Sequence, residues 1–162
     1  RAPLLDAGGA RTLCCLCRAS LPRKVVRPAC SALTLMCTTA EFVPSLLDAG
    51  AGGVLATLAA SSDPEMVRDG CKALADMLCC QCGEEDEEGG ASARAPAKVI
   101  ARSTDQLLSQ GALVIWVACA SVSDQSLQLH ASRGLRAVCE RSVMHARILA
   151  RKGAARALAA LL

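Results

Sequence analysis

One short pattern limits what this chain can fold into: a pair of leucines, two further residues and a glycine. It appears as Leu4-Leu5-Asp6-Ala7-Gly8, Leu46-Leu47-Asp48-Ala49-Gly50 and Leu107-Leu108-Ser109-Gln110-Gly111, and more loosely as Leu149-Ala150-Arg151-Lys152-Gly153. Gly8 and Gly50 lie 42 residues apart, and so do Gly111 and Gly153. Gly50 and Gly111 lie 61 apart, which is one period and 19 residues more. A recurring period of this size belongs to stacked supersecondary units, each too small to bury its own apolar face. The long interval then reads as one period carrying an insertion.

The residues that fill the period make it helical. The chain is 52% hydrophobic, yet it holds no Tyr, one Phe (Phe42) and one Trp (Trp116). Ala, Leu, Val and Cys supply the apolar mass, and strand-favouring aromatics are nearly missing. At 162 residues the chain is long enough for a substantial core. No apolar run reaches the roughly 18 residues of a membrane span, and the run 13–17 is too short for a signal-peptide core, so no membrane insertion is expected. Starting at Arg1 and stopping in apolar sequence at Leu161-Leu162, the chain reads as a fragment of a longer one. Its eleven cysteines are odd in number and spread through Ala-rich helical sequence. That argues against a disulfide framework and for a reducing, cytoplasmic compartment.

Each unit resolves into three helices. After Gly8 a short helix is expected over 10–18 with Leu13 and Leu16 in the core. The same offsets give Leu55 and Leu58, Trp116 and Cys119, and Leu158 and Leu161, each pair on one helical face. Breaks follow at Ser20-Leu21-Pro22, Ser61-Ser62-Asp63-Pro64 and Ser121-Val122-Ser123-Asp124, where Ser and Asp are natural N-caps and Pro64 suits a first turn. A longer helix comes next, aligned on Leu33, Leu74 and Leu135. Relative to that leucine, position −8 holds Val25, Met66 and Leu127, and −4 holds Ala29, Gly70 and Ala131. Position −3 holds Cys30, Cys71 and Ser132, and −1 holds Ala32, Ala73 and Gly134. Position +3 holds Met36, Met77 and Val138, and +4 holds Cys37, Leu78 and Cys139. This is one apolar face, with small residues where neighbouring helices must come close. A closing helix is expected over 40–49, 98–110 and 142–152, ended by a left-handed glycine.

Taken together, the 42-residue unit, the glycine before the second helix (Gly50-Ala51-Gly52-Gly53-Val54-Leu55) and the third helix running from Met66 to Leu78 resemble the armadillo repeat. The resemblance covers nearly the whole chain: two full repeats, a third preceded by the insertion, and the start of a fourth. HEAT repeats, with two helices in a shorter unit, fit the glycines less well. The resemblance implies an all-α, right-handed α-solenoid of three-helix repeats over 1–162, with junctions near Gly8, Gly50, Gly111 and Gly153. Interrupting it is the acidic, Gly-rich stretch 83–97: five acids from Glu84 to Glu88, then Gly89-Gly90-Ala91-Ser92-Ala93-Arg94-Ala95-Pro96. It reads as a solvated surface loop, or alternatively as a tethered segment that masks a basic groove.

Catalytic and metal chemistry find little footing. Cys14-Cys15-Leu16-Cys17 and Cys79-Cys80-Gln81-Cys82 fall on helices rather than on the backbone turns of a zinc knuckle, and at different phases of the repeat. Packing as small apolar bodies is the expectation for these, as for Cys30, Cys37, Cys71 and Cys139. His130 and His145 lack a nucleophile motif and read as surface residues. Gly50-Ala51-Gly52-Gly53 has no strand before it and belongs to the repeat junction, not to a phosphate loop. The expectation is a protein without enzymatic activity, cofactor or metal.

A solenoid acts through the long surface lined by its third helices. In the armadillo family, the resemblance implies, that surface is lined two residues before and two after the aligned leucine. Here those positions hold Ser31, Lys72 and Arg133, then Leu35, Asp76 and Ala137, with Arg27 and Arg68 six before the leucine in two units. The Trp/Asn ladder of importin-alpha-like members is missing, so recognition of import signals is rejected. The net charge of +3 becomes about +8 once the five acids of the insertion are set aside, and a basic stripe suits a protein partner with acidic segments. Nucleic acid is a poor fit, because no aromatics interleave with the arginines. The sequence therefore points to an interaction scaffold or adaptor, in the cytoplasm or at the cytoskeleton. The alternatives are a structural subunit of a large cytoskeletal or axonemal assembly and, more weakly, metal or nucleic-acid binding.

Overall fold

In the computed structural model, the described residues are 8–18, 21–82 and 97–141, with the short stretches 146–147 and 150–151. They form eight α-helices and no strand. In chain order these are α1 (Gly9–Leu16), α2 (Arg23–Cys37), α3 (Val43–Asp48), α4 (Ala51–Ala59), α5 (Pro64–Cys82), α6 (Ala97–Ser109), α7 (Ala112–Ala120) and α8 (Gln125–Arg141), with a 3-10 turn at Ala40–Phe42 leading into α3. The order repeats: short helix, long helix, linking helix. The long helices α2, α5 and α8 lie side by side, α5 between the other two, while α1, α4 and α7 pack beneath them. This is an all-α solenoid.

Three glycines turn the corners. Gly8, Gly50 and Gly111 have φ of 79°, 84° and 97°, the left-handed region that costs other residues a clash at Cβ. Each stands immediately before the short helix of its unit, as the period predicts. The Gly50 corner is also held from the next unit. Gln110 Oε1 accepts from the Gly53 amide at 3.1 Å, and Gln110 Nε2 donates to the Leu47 carbonyl at 3.5 Å. One side chain thus satisfies a free N–H at the start of α4 and adds a second donor to the Leu47 carbonyl, which already accepts from the Gly50 amide at 2.9 Å.

Two of the long helices, α5 and α8, begin as the caps foretell, while α2 follows Pro22 without a side-chain cap. Asp63 Oδ1 accepts from the Glu65 amide at 3.1 Å, and Asp124 Oδ1 accepts from Ser126 and Leu127 at 2.9 and 3.1 Å. In the interior, small residues permit close approach. A Cβ on Gly70 would lie 2.8 Å from the Leu55 carbonyl oxygen and 2.9 Å from the Ala59 nitrogen, both backbone atoms of α4. On Gly134 it would lie 2.5 Å from Cε2 of Trp116, whose ring is fully buried.

Leu33, Leu74 and Leu135 are each 0% exposed, which confirms the register of the long helices. Departures occur at the margins. In α1 the buried residues are Ala10 and Cys14, with Cys17 buried just past its end, whereas Leu16 is exposed and Leu13 only half-buried. At the start of α2, Val26 is buried and Val25 exposed. Both helices belong to the first described unit, so only one side of each has a neighbouring unit to pack on. Cys139 is exposed, although its counterparts Cys37 and Leu78 are buried. Those two are covered by a following unit, and α8 has no long described helix beyond it. The stretch 142–152, with His145, and the junction at Gly153 lie outside the described residues or largely so, as does 83–96.

Candidate functional site: the face of the long helices

The solvent-facing side of α2, α5 and α8 carries the residues expected to line a groove, and the structure sorts them into three kinds. Arg27 and Arg68 face forward along the stack. Arg68 Nη2 donates to Asp124 Oδ2 at 2.7 Å and Nε donates to the same oxygen at 3.0 Å. Arg27 pairs with Glu65, and next to it Arg23 Nε donates to Asp63 Oδ2 at 2.7 Å. The first and second units therefore each send arginine to the acidic N-terminus of the next long helix. The Arg68 hydrogen bond, with help from the Leu127 amide, holds the Asp124 carboxyl below its usual range. These arginines are engaged within the chain, a change from the open basic stripe that the sequence suggests.

The second kind is a cluster around one carboxylate. Asp76 is only 7% exposed and lies at the floor of the face. Arg133 Nη1 donates to its Oδ1 at 3.4 Å across the α5–α8 boundary, and Lys72 Nζ approaches its Oδ2 at 3.8 Å from one turn earlier on α5. Lys72 and Arg133 retain 44% and 32% of their side-chain exposure. Two cations thus share one buried anion and leave a net positive site. His130 stands beside this cluster and is half-buried, not the surface residue expected. Burial lowers its pKa, and Arg133 and Lys72 push in the same direction against the opposing charge of Asp76.

The third kind is apolar. Leu35 is 66% exposed on α2. Leu129 on α8, which the sequence reading missed, is 59% exposed. It occupies the position that holds Arg27 and Arg68 in the other units, so the repeat alignment itself could have found it. Ser31 is exposed one turn before Leu35 on α2. Ala137 does not line the face: it is 3% exposed, because a methyl group cannot rise past its neighbours where a leucine can.

Elsewhere the chemistry is that of a packed core. Cys14, Cys17, Cys30, Cys37, Cys71 and Cys79 are buried, and no disulfide joins the described cysteines. Burial pushes the Cys17 thiol up to about 12 and the Cys30 thiol to about 11. Among the described residues, no three His, Cys, Asp or Glu side chains converge as metal ligands would. No single described helix is long and apolar enough to cross a membrane.

No family model and no curated protein matches the chain. Among solved structures, an engineered protein of the Northeast Structural Genomics Consortium superimposes with a TM-score of 0.75 at 22% identity, covering 98% of this chain and 58% of its own. A second engineered protein from the same source has a TM-score of 0.64 at 23% identity, covering 84% and 47%. The chain thus spans about half the length of these two proteins, and the likeness shows the fold. A computationally designed armadillo repeat protein for modular peptide recognition covers 99% of this chain and 77% of its own at 18% identity; its TM-score of 0.46 adds nothing further. Fold and comparison together define a helical-repeat protein.

Proposed function

We propose that the chain is an armadillo-type interaction scaffold, without enzymatic activity, that holds a protein segment against the face of α2, α5 and α8. The observation that carries this reading is the combination on one face of Lys72 and Arg133 over the buried Asp76 with exposed Leu35 and Leu129 at its two ends. Two solvated cations beside exposed leucines offer both charge and apolar area to one ligand. An acidic segment with apolar residues is the matching partner. Under this reading the protein works in a reducing compartment, in the cytoplasm and at the cytoskeleton. The engagement of Arg27 and Arg68 inside the chain favours a second reading, a structural subunit of a large assembly, in which the face is stiffened rather than kept available.

Charge reversal at Lys72 and Arg133 alone would leave three carboxylates together, so Asp76 is neutralised with them. The triple variant K72Q/D76N/R133Q removes all the charges at once, and L35S/L129S removes the apolar ends. Capture from native extract with photo-crosslinkers placed on Ser31 is compared with wild type at matched circular dichroism. A partner peptide crosslinked to α2 and lost in both variants supports the scaffold. Neighbours retained by both variants support the built-in subunit.

A further inference from the structure

Among the described residues, exposed large apolar side chains gather on the outer side of the first unit: Leu16 at the end of α1, Leu21 just before α2, and Val25 and Leu35 on it. Three of them fall on one line. Leu21, Val25, Pro28, Ala32 and Leu35 follow one another at steps of four, three, four and three residues, the heptad spacing of a seam between packed helices. Pro28 is exposed and Ala32 half-buried. Repeat equivalence shows what this seam lacks. Eight before, one before and two after the aligned leucine, α5 holds Met66, Ala73 and Asp76, and α8 holds Leu127, Gly134 and Ala137; all six are buried. Each of those helices has the long helix of the preceding unit beside it. The same positions in α2 are Val25, 38% exposed, Ala32, and Leu35, 66% exposed. Helix α2 therefore carries a second apolar seam with no long described helix against it.

We infer that this seam joins two copies of the chain about a two-fold axis at Pro28, with the two α2 helices antiparallel. The seam is self-complementary, as a two-fold contact requires. Leu21 and Leu35 lie equally far from Pro28 on either side, so Leu21 of one copy meets Leu35 of the other, and Val25 meets Ala32 between them. Charge decides both the direction and the occupant. Helices α5 and α8 begin with Asp63, Glu65 and Asp124, which take arginines from the preceding unit. Helix α2 begins with Pro22, Arg23 and Lys24, and offers no acid to an arginine-bearing helix of the kind that covers α5 and α8. In a parallel pair these cations would lie together. In an antiparallel pair each basic start lies toward the C-terminal end of the other α2, where the last carbonyls carry partial negative charge and the exposed Glu41 follows. From Leu21 to Leu35 the seam is about 21 Å long, small for an interface, so association is weak and reversible. Helices paired side by side and antiparallel keep both faces on one side. Six long helices then form one surface with two Lys72/Arg133 sites, which suits a bivalent ligand. The dimer adds to the scaffold reading and does not depend on it.

The test is sedimentation equilibrium of the full chain, under reducing conditions, from micromolar to millimolar concentration. The expected result is a reversible rise of the average mass from one chain to two. The variant L21E/V25E places acids at the start of α2, on exposed positions where the helix dipole favours them, so it should keep its circular dichroism and melting and lose the dimer. Neither residue belongs to the face that holds Lys72 and Arg133, so loss of the dimer and loss of partner capture are separate results. In a C15S/C139S background, which lacks the two exposed thiols, P28C should crosslink to itself through a short bismaleimide, and adding L21E/V25E should abolish that crosslink. A chain that stays monomeric at millimolar concentration, a dimer that persists in a folded L21E/V25E, or crosslinking of L129C to P28C in place of P28C to itself, the mark of head-to-tail stacking, would each overturn the inference. If L21E/V25E does not fold, sedimentation of the wild type and the P28C crosslink decide alone.

Discussion

Replacing Gly134 by alanine tests the stacking at its tightest point. In an open helical position this change stabilises by about 0.5–1 kcal/mol, because glycine loses more backbone freedom on folding. At Gly134 the added Cβ would lie 2.5 Å from Trp116 Cε2 and 2.8 Å from both Cδ2 and Cζ2. These are atoms of a flat, rigid ring that is 0% exposed and has no room to rotate away. Overpacking of this kind costs about 1–3 kcal/mol, so the clash outweighs the helical gain. A net loss of about 1–2 kcal/mol is expected, or a melting temperature lower by about 3–6 °C in a chain of this size. Urea unfolding followed by fluorescence is a direct assay, because Trp116 is the only tryptophan and sits at the contact itself. Gly53 is the internal control: a Cβ there meets nothing within 4 Å, and G53A should stabilise by about 0.5–1 kcal/mol. In a W116L background, followed by circular dichroism, G134A should cease to destabilise. If G134A instead stabilises as much as G53A, α7 and α8 do not meet at this contact and the reasoning fails.

Three further perturbations reach other parts of the stack. Leu74→Asp places an unpaired charge at a position with 0% exposure and should abolish cooperative folding of the middle unit, whereas unchanged helicity and melting would refute the register. Gln110→Ala removes both bonds at the Gly50 corner and should cost about 1–2 kcal/mol in chemical denaturation; no loss would mean that water serves the corner equally well. Acidification should destabilise in two stages, because both His130 and Asp124 have folded pKa values below their unfolded ones, so the unfolded chain binds more protons. The His130 contribution fades as pH falls below about 6.5 and that of Asp124 below about 3.8. Stability profiles of H130Q and D124N should each lose one stage, and a profile unchanged in both would contradict the assignment.

How much of this the sequence discloses depends on the range of the interaction. The corner glycines, the Asp63 and Asp124 caps and the leucine register are local or periodic, and all are legible in the residues. What the neighbouring unit decides is not. Cys37 and Cys139 occupy one repeat position, yet one is buried and the other exposed, because cover comes from the unit that follows. Arg27 and Arg68 look like free groove cations until the next helix brings its acidic N-terminus within reach. Leu35, Asp76 and Ala137 share a position and differ in exposure through side-chain reach and the pull of Lys72 and Arg133 on Asp76. Leu129 shares the repeat position of Arg27 and Arg68, so its place on the face is periodic and legible, although it carries no charge to mark it.

The central claim is that three equivalent helices stand in a row, and the spacing of one equivalent position across them tests it most directly. Ser31, Lys72 and Arg133 each lie two residues before the aligned leucine. Spin labels attached pairwise through bioorthogonal side chains at these positions would be read by continuous-wave and pulsed electron paramagnetic resonance. Packed helices sit about 8–10 Å apart, so the 31–72 and 72–133 separations should be similar and the 31–133 separation about twice as long. A 31–133 distance no longer than the other two would place the helices in a closed bundle and contradict the solenoid.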